Sequence, residues 1–300
     1  MKVAAIVGPT AVGKTAVSLD VAEALDAEIV SVDSMQVYRG MDVGTAKPSR
    51  AEMQRVPHHL VDLRDPGHEL TVAEFQELGR AAIADVAGRG RLPLLVGGSG
   101  LYFRALVDDL EFPPRSDDVR RGLEAEAEEL GPEALYARLV EADPLAAARI
   151  EPGNVRRTVR ALEVIALTGA PFSDNVTWDR YESRYDLAAA GLERDRPELH
   201  RRIDDRVAAM LEDGLVGEAE RLRAGGPGRT ASQALGYRQI LQPEGDEDLH
   251  AAISKATRRY ARRQLSWFKA DPRVTWFDAA EPDLAARLAA FFRSALALPL

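Results

Sequence analysis

The chain has 300 residues, of which 46% are hydrophobic and 29% charged, as is ordinary for a globular protein. It contains no cysteine, so it can form neither a disulfide framework nor a cysteine-ligated zinc site, which agrees with a reducing compartment. The net charge of −9 argues against a uniformly basic nucleic-acid-binding protein but leaves room for a local basic surface. No apolar run approaches the roughly 18 residues that span a bilayer. We therefore expect a cytoplasmic protein that binds no membrane, and we take it to be a monomer.

The first motif follows a short apolar run at residues 3–7, which is predicted to be a buried strand. The sequence GPTAVGKT fits the phosphate-binding loop (P-loop) pattern G-x-x-x-x-G-K-[ST], and a helical stretch follows at residues 16–25. Backbone N–H groups of such a loop turn inward to bind an anion at a helix N-terminus. We expect Lys14 to reach the terminal phosphates and the Thr15 hydroxyl to ligate Mg²⁺; a purely structural glycine turn is the alternative. The predicted diphosphate-binding loop is Gly8, Pro9, Thr10, Ala11, Val12, Gly13, Lys14 and Thr15.

A second strand is predicted at residues 28–32, and it ends at Asp33. Ligands of α/β proteins bind outside the carboxyl ends of strands, so beside the P-loop strand Asp33 would aim its carboxylate into the phosphate cleft. Asp33 is therefore the candidate general base and, with Thr15, a candidate metal ligand; an Asp that caps a turn is the alternative. His58 and His59 have no third ligand at metal-binding spacing, and we assign them to packing or hydrogen bonding.

A further buried strand at residues 92–96 runs into a glycine-rich turn, GGSG, at residues 97–100. A helix-like stretch at residues 101–107 follows. This turn predicts a second set of inward N–H groups at the same cleft, and Ser99 adds a hydroxyl there. The alternative is a tight turn without a ligand. A conventional Walker-B strand would end in Asp at this point, and this strand does not.

From about residue 113 strand signals vanish and amphipathic helices follow at residues 117–130, 132–141 and 154–167. We predict a P-loop NTPase-like α/β core, with a parallel sheet flanked by helices, made by residues 1–115 and 196–300. Residues 116–195 are predicted to form an all-helical insertion domain that grips the substrate of the core. Within it, Arg156, Arg157 and Arg160 cluster on one helix opposite an apolar stripe.

The C-terminal third is predicted to be mainly helical, with a closing strand near residues 274–277. A helix beginning near Arg196 has regularly spaced apolar residues and is interpreted as scaffold, and Arg238 in a later helix is expected to reach the phosphates. Residues 254–269 carry six basic residues and no acidic one, and the basic side chains fall within roughly 140° of a helical wheel. A solvated face is one interpretation of this stripe, and a surface that follows a nucleic-acid backbone is the other.

Segments spread over most of the chain resemble, in family order, those of the tRNA dimethylallyltransferases, also called isopentenyl-diphosphate:tRNA transferases. A P-loop alone would identify the family weakly, whereas the set of segments is specific. The segments are GPTAVGKT at 8–15, DSMQVYRGMDVGTAKP at 33–48, PHHLVDLRDP at 57–66, GGSGLYFRAL at 97–106, RRTVRALEV at 156–164, LGYRQI at 235–240 and TRRYARRQLSWF at 257–268.

The resemblance implies transfer of a dimethylallyl group from dimethylallyl diphosphate to the exocyclic amine of the adenosine 3′ to the anticodon, tRNA position 37. The tRNAs would be those that read codons beginning with U. The P-loop, Lys14 and Mg²⁺ would neutralise the charge that develops on the diphosphate, and nothing in this chemistry requires ATP. Asp33 would accept the amine proton, and Ser99 would contact the diphosphate.

The adenosine must leave its stack to enter such a cleft, so the helical domain and the basic helix would grip the anticodon stem-loop. The family implies contacts from residues 33–36 and from the helix at 156–160, and we expect further contacts from other basic residues. The full set of expected tRNA-binding residues is Asp33, Ser34, Met35, Gln36, Ser99, Arg121, Arg156, Arg157, Thr158, Val159, Arg160, Arg258, Arg262 and Arg263.

Two positions depart from the family pattern. Ser99 stands where Thr is usual, so its hydroxyl is freer to rotate, and Arg156 stands where Gln is usual, which could exchange a base contact for a phosphate contact. The sequence leaves two other functions as alternatives to tRNA prenylation. One is a small-molecule P-loop kinase or adenine-nucleotide prenyltransferase, which the basic faces argue against. The other is a non-enzymatic nucleotide switch that binds RNA, which would need the N-K-x-D motif that this sequence lacks.

Overall fold

The structure is a computed structural model that describes residues 1–175, 180–243, 245 and 248–299. The chain forms two compact units. The first unit comprises Met1–Asp109 with Tyr181–Leu300, and the second comprises Leu110–Arg180. Within the described residues no helix is both long enough and apolar enough to cross a bilayer.

A parallel sheet of six strands forms the centre of the first unit, in the order β3-β2-β4-β1-β5-β6. Helices cover it, so the central strands read as continuous apolar runs, and β2 is buried along its whole length. The predicted fold class is therefore confirmed. The strands are β1 (Lys2–Val7), β2 (Ala27–Val32), β3 (His58–His59), β4 (Leu92–Gly97), β5 (Asp186–Glu193) and β6 (Val274–Asp278).

The helices are numbered through both units in chain order, and α5 to α8 belong to the second unit. Capping boxes or single side-chain caps begin several of them; Ser49 with Glu52, for example, caps α2. The helices are α1 (Lys14–Ala24), α2 (Arg50–Arg55), α3 (Val72–Gly88), α4 (Gly100–Val107), α5 (Asp117–Leu130), α6 (Pro132–Ala142), α7 (Pro144–Ala147), α8 (Val155–Thr168), α9 (Arg196–Glu212), α10 (Leu215–Ala224), α11 (Arg229–Ser232), α12 (Tyr237–Leu241), α13 (Leu249–Lys269) and α14 (Leu284–Ala295).

The second unit has its own hydrophobic core, to which α5, α6 and α8 contribute Leu123, Leu139 and Leu162. Its limits differ from the predicted insertion at 116–195, because residues 186–193 form β5 and pair with β1 in the first unit. The sequence of β5, DLAAAGLE, is rich in alanine and has no β-branched residue, so it lacks the usual strand signal. The strand was missed for that reason.

The sheet order corrects one further expectation. β4 pairs with both β1 and β2, so the strand that ends at Asp33 does not lie beside the P-loop strand. All strands are parallel, however, and their carboxyl ends still meet at one edge of the sheet. The P-loop, the glycine-rich turn and Asp33 therefore follow β1, β4 and β2 at the same edge.

Candidate active site

A cavity of about 490 Å³ opens at this edge of the sheet. Its lining includes the P-loop and the start of α1, the segment after β2, the glycine-rich turn after β4, and the helices α9 and α13. Lys14, Thr15 and Asp33 are among the lining residues, so the structure brings the predicted phosphate loop and the predicted base together.

The P-loop has the positive backbone angles that its glycines permit, with φ of 142° at Gly8 and 115° at Gly13. A Cβ at Gly8 would lie 2.6 Å from the carbonyl oxygen of Leu192 in β5, so the close strand contact requires glycine there as well. Lys14 begins α1 and donates hydrogen bonds to the carbonyl oxygens of Gly8 at 2.9 Å and Pro9 at 2.7 Å. The loop is thus held closed around its own lysine.

The charge state of Lys14 depends on its surroundings. Burial of the ammonium and the nearby positive charge of Arg206 lower the pKa of Lys14 to about 7, while the carboxylate of Asp33 acts in the opposite direction. A bound diphosphate would add negative charge beside this group and favour its protonated form. The site is therefore built to gain a full positive charge when an anion binds.

The segment after β2 is a tight turn in which the carboxylate of Asp33 accepts a hydrogen bond from the Met35 N–H at 2.8 Å. Asp33 and Gln36 line the cavity, whereas Met35 packs against the core and Ser34 is partly buried. Gln36 accepts a hydrogen bond from Ser31 at 2.8 Å and donates to the carbonyl oxygens of Thr45 and Ala46. The capping interpretation of Asp33 is thus correct for one carboxylate oxygen, and the same side chain also faces the cavity.

Helix α9, interpreted from the sequence as scaffold, contributes directly to the cavity. Its apolar stripe is buried as predicted, but Arg202, Asp205 and Arg206 lie on the cavity side. The Arg202 Nε donates to the carbonyl oxygen of Ala11 at 2.9 Å. The available signal was the spacing of two arginines by four residues along one edge of the stripe, which places both side chains over the same site.

Arg238 was expected to reach the phosphates, and the structure does not support that assignment. It is exposed on α12 and is absent from the described residues that line the cavity. Its helix has a structural task instead, because the neighbouring Tyr237 hydroxyl donates to the buried carboxylate of Glu218 at 2.5 Å. Glu218 also accepts hydrogen bonds from the N–H groups of Asp42, Val43 and Gly44. The LGYRQI segment therefore anchors residues 42–44 through Glu218. The next two residues, Thr45 and Ala46, form part of the cavity wall.

The two histidines of β3 take part in hydrogen bonds, as the sequence suggested. The His59 Nε2 lies 2.7 Å from the buried carboxylate of Glu28, and the His58 Nδ1 lies 2.8 Å from the Val56 carbonyl oxygen. His58 also lines the cavity, and burial lowers its pKa. It is thus a neutral polar group at the wall.

The donors available to a divalent cation are few. Thr15 is exposed at the start of α1, and it shares the cavity with the Asp33 carboxylate. The described part of the chain holds no cluster of three or more His, Cys, Asp or Glu side chains suited to a metal. A hydroxyl and one carboxylate fit a cation such as Mg²⁺, which keeps several waters and takes other ligands from substrate phosphates.

The structure divides the predicted RNA contacts of α8 into two groups. Arg156 and Arg157 are exposed, whereas the side chains of Thr158 and Val159 are buried and do not reach the surface of the second unit. Arg160 donates to the fully buried carboxylate of Glu163 at 2.7 Å and to the carbonyl oxygens of Pro113 and Pro114. Arg160 is therefore a structural residue of the second unit.

Arg120 and Arg121, on α5, also differ from each other. Arg120 binds Glu163 at 2.6 Å, and the predicted RNA ligand Arg121 is exposed and paired with Asp118. The pKa of Glu163 is lowered: burial opposes its ionisation, and the hydrogen bonds from Arg120 and Arg160 outweigh that effect.

Helix α13 is continuous from Leu249 to Lys269, and its basic stripe is only partly available. Arg258 binds the carboxylate of Asp204 on α9 at 2.5 and 2.6 Å, and Lys269 binds Glu193 at 2.6 Å. Arg262 and Arg263 are exposed, and Arg263 lies over the Tyr260 ring. Arg258, one of the expected RNA contacts, is thus held in an internal ion pair.

Two sequence families match this chain. The family described as IPP transferase matches residues 36–271, and the one described as isopentenyl transferase matches residues 1–68. A protein named tRNA dimethylallyltransferase from Salinispora arenicola is 51% identical over 290 residues, which cover 95% of this chain and 84% of that protein. One of the same name from Nocardioides is 51% identical over 294 residues, covering 95% of this chain and 94% of that protein.

Solved structures agree with these relatives. The tRNA isopentenylpyrophosphate transferase from Bacillus halodurans is 41% identical, with a TM-score of 0.71, covering 99% of this chain and 98% of that one. A eukaryotic dimethylallyltransferase acting on tRNA is 27% identical, with a TM-score of 0.78, covering all of this chain and 80% of the other. The P-loop cavity described above is thus set in a chain that is similar to these enzymes over nearly its whole length, and the chain belongs to the IPP transferase family.

Proposed function

We propose that this enzyme transfers the dimethylallyl group of dimethylallyl diphosphate to the N6 amine of the adenosine at tRNA position 37. The observation that carries the proposal is a single cavity lined by a phosphate-binding loop and by the carboxylate of Asp33. In the reaction the allylic carbon–oxygen bond breaks and a carbon–nitrogen bond forms. Diphosphate leaves, and the amine proton moves to a base.

The cations around the P-loop would hold the diphosphate. Lys14, Arg202 and Arg206 lie at the loop, where their positive charges can stabilise negative charge that grows on the leaving group. Thr15 and Asp33 would hold Mg²⁺, which neutralises phosphate charge when bound. Removal of diphosphate, rather than transfer of a phosphoryl group, is the chemistry that these residues would serve.

Asp33 would act on the incoming amine. One of its oxygens is occupied by the Met35 N–H, and the residue lines the cavity. A carboxylate within hydrogen-bonding distance of the amine can orient it and accept its proton as the new bond forms. The base must be turned out of its stack to reach this position.

The exposed arginines of α8 and α13 would bind the anticodon stem-loop, with Arg156 and Arg157 on the first helix and Arg262 and Arg263 on the second. Their guanidinium groups can contact phosphates without reading sequence. We further propose that the enzyme works as a monomer in the cytoplasm.

The test is to incubate the protein with unmodified tRNA, dimethylallyl diphosphate and Mg²⁺, digest the tRNA and identify its nucleosides by mass spectrometry. N6-dimethylallyladenosine at position 37 is the expected product, in tRNAs that read codons beginning with U. Parallel reactions replace tRNA by AMP, or the prenyl donor by ATP. A dimethylallyl group found only on AMP, or phosphate transferred from ATP, would show that the proposed substrate or reaction is wrong.

A further inference from the structure

The tip of the P-loop has a backbone conformation that its sequence does not favour. Ala11 has a φ of 63°, in the left-handed region that residues other than glycine seldom occupy. It lies between Gly8 and Gly13, which also have positive φ angles. Turns of this kind direct successive N–H groups toward one point, where they can bind an anion. Because alanine disfavours the left-handed conformation, contacts from the rest of the protein must hold the tip in it.

Two hydrogen bonds from distant helices bracket this tip. The Thr10 N–H donates to the side-chain oxygen of Gln264, on α13, at 2.9 Å. The Ala11 carbonyl oxygen accepts a hydrogen bond from the Arg202 Nε, on α9, also at 2.9 Å. One bond precedes the φ torsion of Ala11 along the chain and the other follows it, so a change of that angle would disturb at least one of them.

Gln264 is itself held in one orientation. Its side-chain nitrogen donates to the Gly98 carbonyl oxygen at 3.0 Å, and the residue is only 6% exposed. An amide N–H can only donate and a carbonyl oxygen can only accept, so the side chain cannot turn over without losing both bonds. A Cβ at Gly98 would lie 2.2 Å from that nitrogen and 3.0 Å from the Gly8 carbonyl oxygen, so this turn packs directly on Gln264 and on the P-loop.

The turn after β4 contributes its glycines to the site. Among the described residues, Gly97 and Gly98 line the cavity and Ser99 does not. Ser99 is instead the N-cap residue of α4, and its side chain makes no capping hydrogen bond. The turn thus serves as the anchor of Gln264 beside the P-loop.

We propose that Gln264 is a positioning residue for diphosphate binding: anchored on Gly98, its side-chain oxygen holds the Thr10 N–H and so keeps Ala11 in the conformation that binds an anion. The inference rests on the proposed function, in which the P-loop holds the diphosphate of the prenyl donor. A loop that spends only a fraction of its time in the binding conformation binds its ligand more weakly by that fraction. Gln264 would therefore act on the affinity for diphosphate through the P-loop.

Binding of inorganic diphosphate in the presence of Mg²⁺ tests this role. Gln264→Met keeps the size of the side chain and removes both hydrogen bonds, so it should raise the Kd, measured by calorimetry, by about threefold to tenfold. Gln76→Met is the matched control: it removes an amide that donates to the Ala105 carbonyl oxygen at 2.8 Å, away from the residues that line the cavity. It should leave the Kd within about twofold. A wild-type Kd in Gln264→Met would overturn the proposal.

Glycine at position 11 gives a second readout, since it adopts the left-handed conformation without the steric cost of a Cβ. In the Gln264→Met protein, Ala11→Gly should return the Kd to within about twofold of the wild-type value. In the wild-type background the same change should alter the Kd by less than about twofold, because Gln264 already holds the tip. Equal effects in the two backgrounds would mean that Gln264 does not act through Ala11, and the proposal would be wrong.

Steady-state kinetics separate positioning of the loop from a loss of structure. Gln264→Met should raise the KM for dimethylallyl diphosphate by the same factor as the Kd. It should leave kcat within about twofold, since a loop that has bound the donor is in its normal conformation. A loss of folded protein would instead lower the apparent kcat and leave KM unchanged, and that result would assign Gln264 a structural role only.

Hydrogen exchange of the Thr10 amide, followed by NMR in the ligand-free wild-type protein, does not depend on whether a variant folds. The bond to a buried side chain should slow exchange at least about tenfold relative to an unstructured amide, and unslowed exchange would contradict the proposal. If the wild-type protein binds diphosphate but prenylates no tRNA, the proposed function fails and the binding data still test Gln264. If it prenylates tRNA and Gln264→Met has a wild-type Kd, only the role of Gln264 fails.

Discussion

The cavity and the two basic helices contain similar cations but differ in what neutralises them. In the cavity, Lys14 and Arg202 donate to main-chain carbonyl oxygens of the P-loop, which carry no net charge. On α8 and α13, by contrast, Arg160 and Arg258 are bound by the carboxylates of Glu163 and Asp204. The number of basic residues in a segment therefore overstates the charge that an RNA can use, whereas the hydrogen bonds of Lys14 and Arg202 to carbonyl oxygens leave both side chains able to bind an anionic ligand.

The comparison predicts that a change in the cavity acts on the reaction and leaves RNA binding largely intact. Asp33→Ala should lower turnover by between about a hundredfold and ten-thousandfold, the usual range for loss of a general base. The affinity for tRNA should change little, because the phosphate contacts lie elsewhere. Single-turnover rates and filter binding of the same tRNA would measure both quantities. Wild-type turnover in Asp33→Ala would show that another group accepts the proton.

Among the basic helices, the comparison predicts that a paired arginine contributes to stability. Arg160→Met leaves the buried carboxylate of Glu163 with Arg120 as its remaining arginine partner. We therefore expect the free energy of unfolding of the second unit to fall by about 2–3 kcal/mol. Arg156 is an exposed residue of the same helix, so Arg156→Met should lower the free energy of unfolding by no more than about 0.5 kcal/mol. Urea unfolding of both variants measures the difference. Equal stabilities would mean that Arg120 alone satisfies the carboxylate.

The lysine of the P-loop should make diphosphate binding depend on pH. Its pKa is lowered to about 7 in the free protein, so it loses its charge as pH rises through that value, and affinity should then fall by up to about tenfold per pH unit. Lys14→Arg keeps its charge and should remove this fall, while the ionisation of diphosphate itself affects both proteins alike. Calorimetric titration with inorganic diphosphate from pH 6 to 9 is the measurement. If affinity for diphosphate depended on pH in the same way in both proteins, the pH dependence could not be assigned to Lys14.

The smallest expected effect concerns the salt dependence of tRNA binding, which should differ between the exposed and the paired arginines of α13. Replacing Arg262 and Arg263 with alanine should reduce the slope of log affinity for tRNA against log salt by up to about 1.8, since two phosphate contacts are lost. Arg258→Met is the control, because its guanidinium is bound by Asp204, and it should leave the slope unchanged. A slope that responds to Arg258 and not to the other two would reverse the proposed division of this helix.

Local patterns were sufficient for the parts of the protein whose structure is determined by neighbouring residues. The P-loop, the flanking strands and the amphipathic helices follow from glycine positions, apolar runs and helical spacing, and these are properties of short segments. The same reasoning missed β5, because an alanine-rich strand is stabilised by its place between β1 and β6 rather than by its own preference.

By itself, the sequence determined the position of the phosphate-binding loop at residues 8–15 and which segments are basic. Only the tertiary structure decided which of those residues meet, because meeting depends on sheet order and helix packing between distant segments. It placed β4 between the P-loop strand and the strand of Asp33, and it brought Arg202, Arg206, Tyr260 and Gln264 to the cavity. It also bound Arg160 and Arg258 to internal carboxylates, since a buried or half-buried charge is stable only beside its counter-charge.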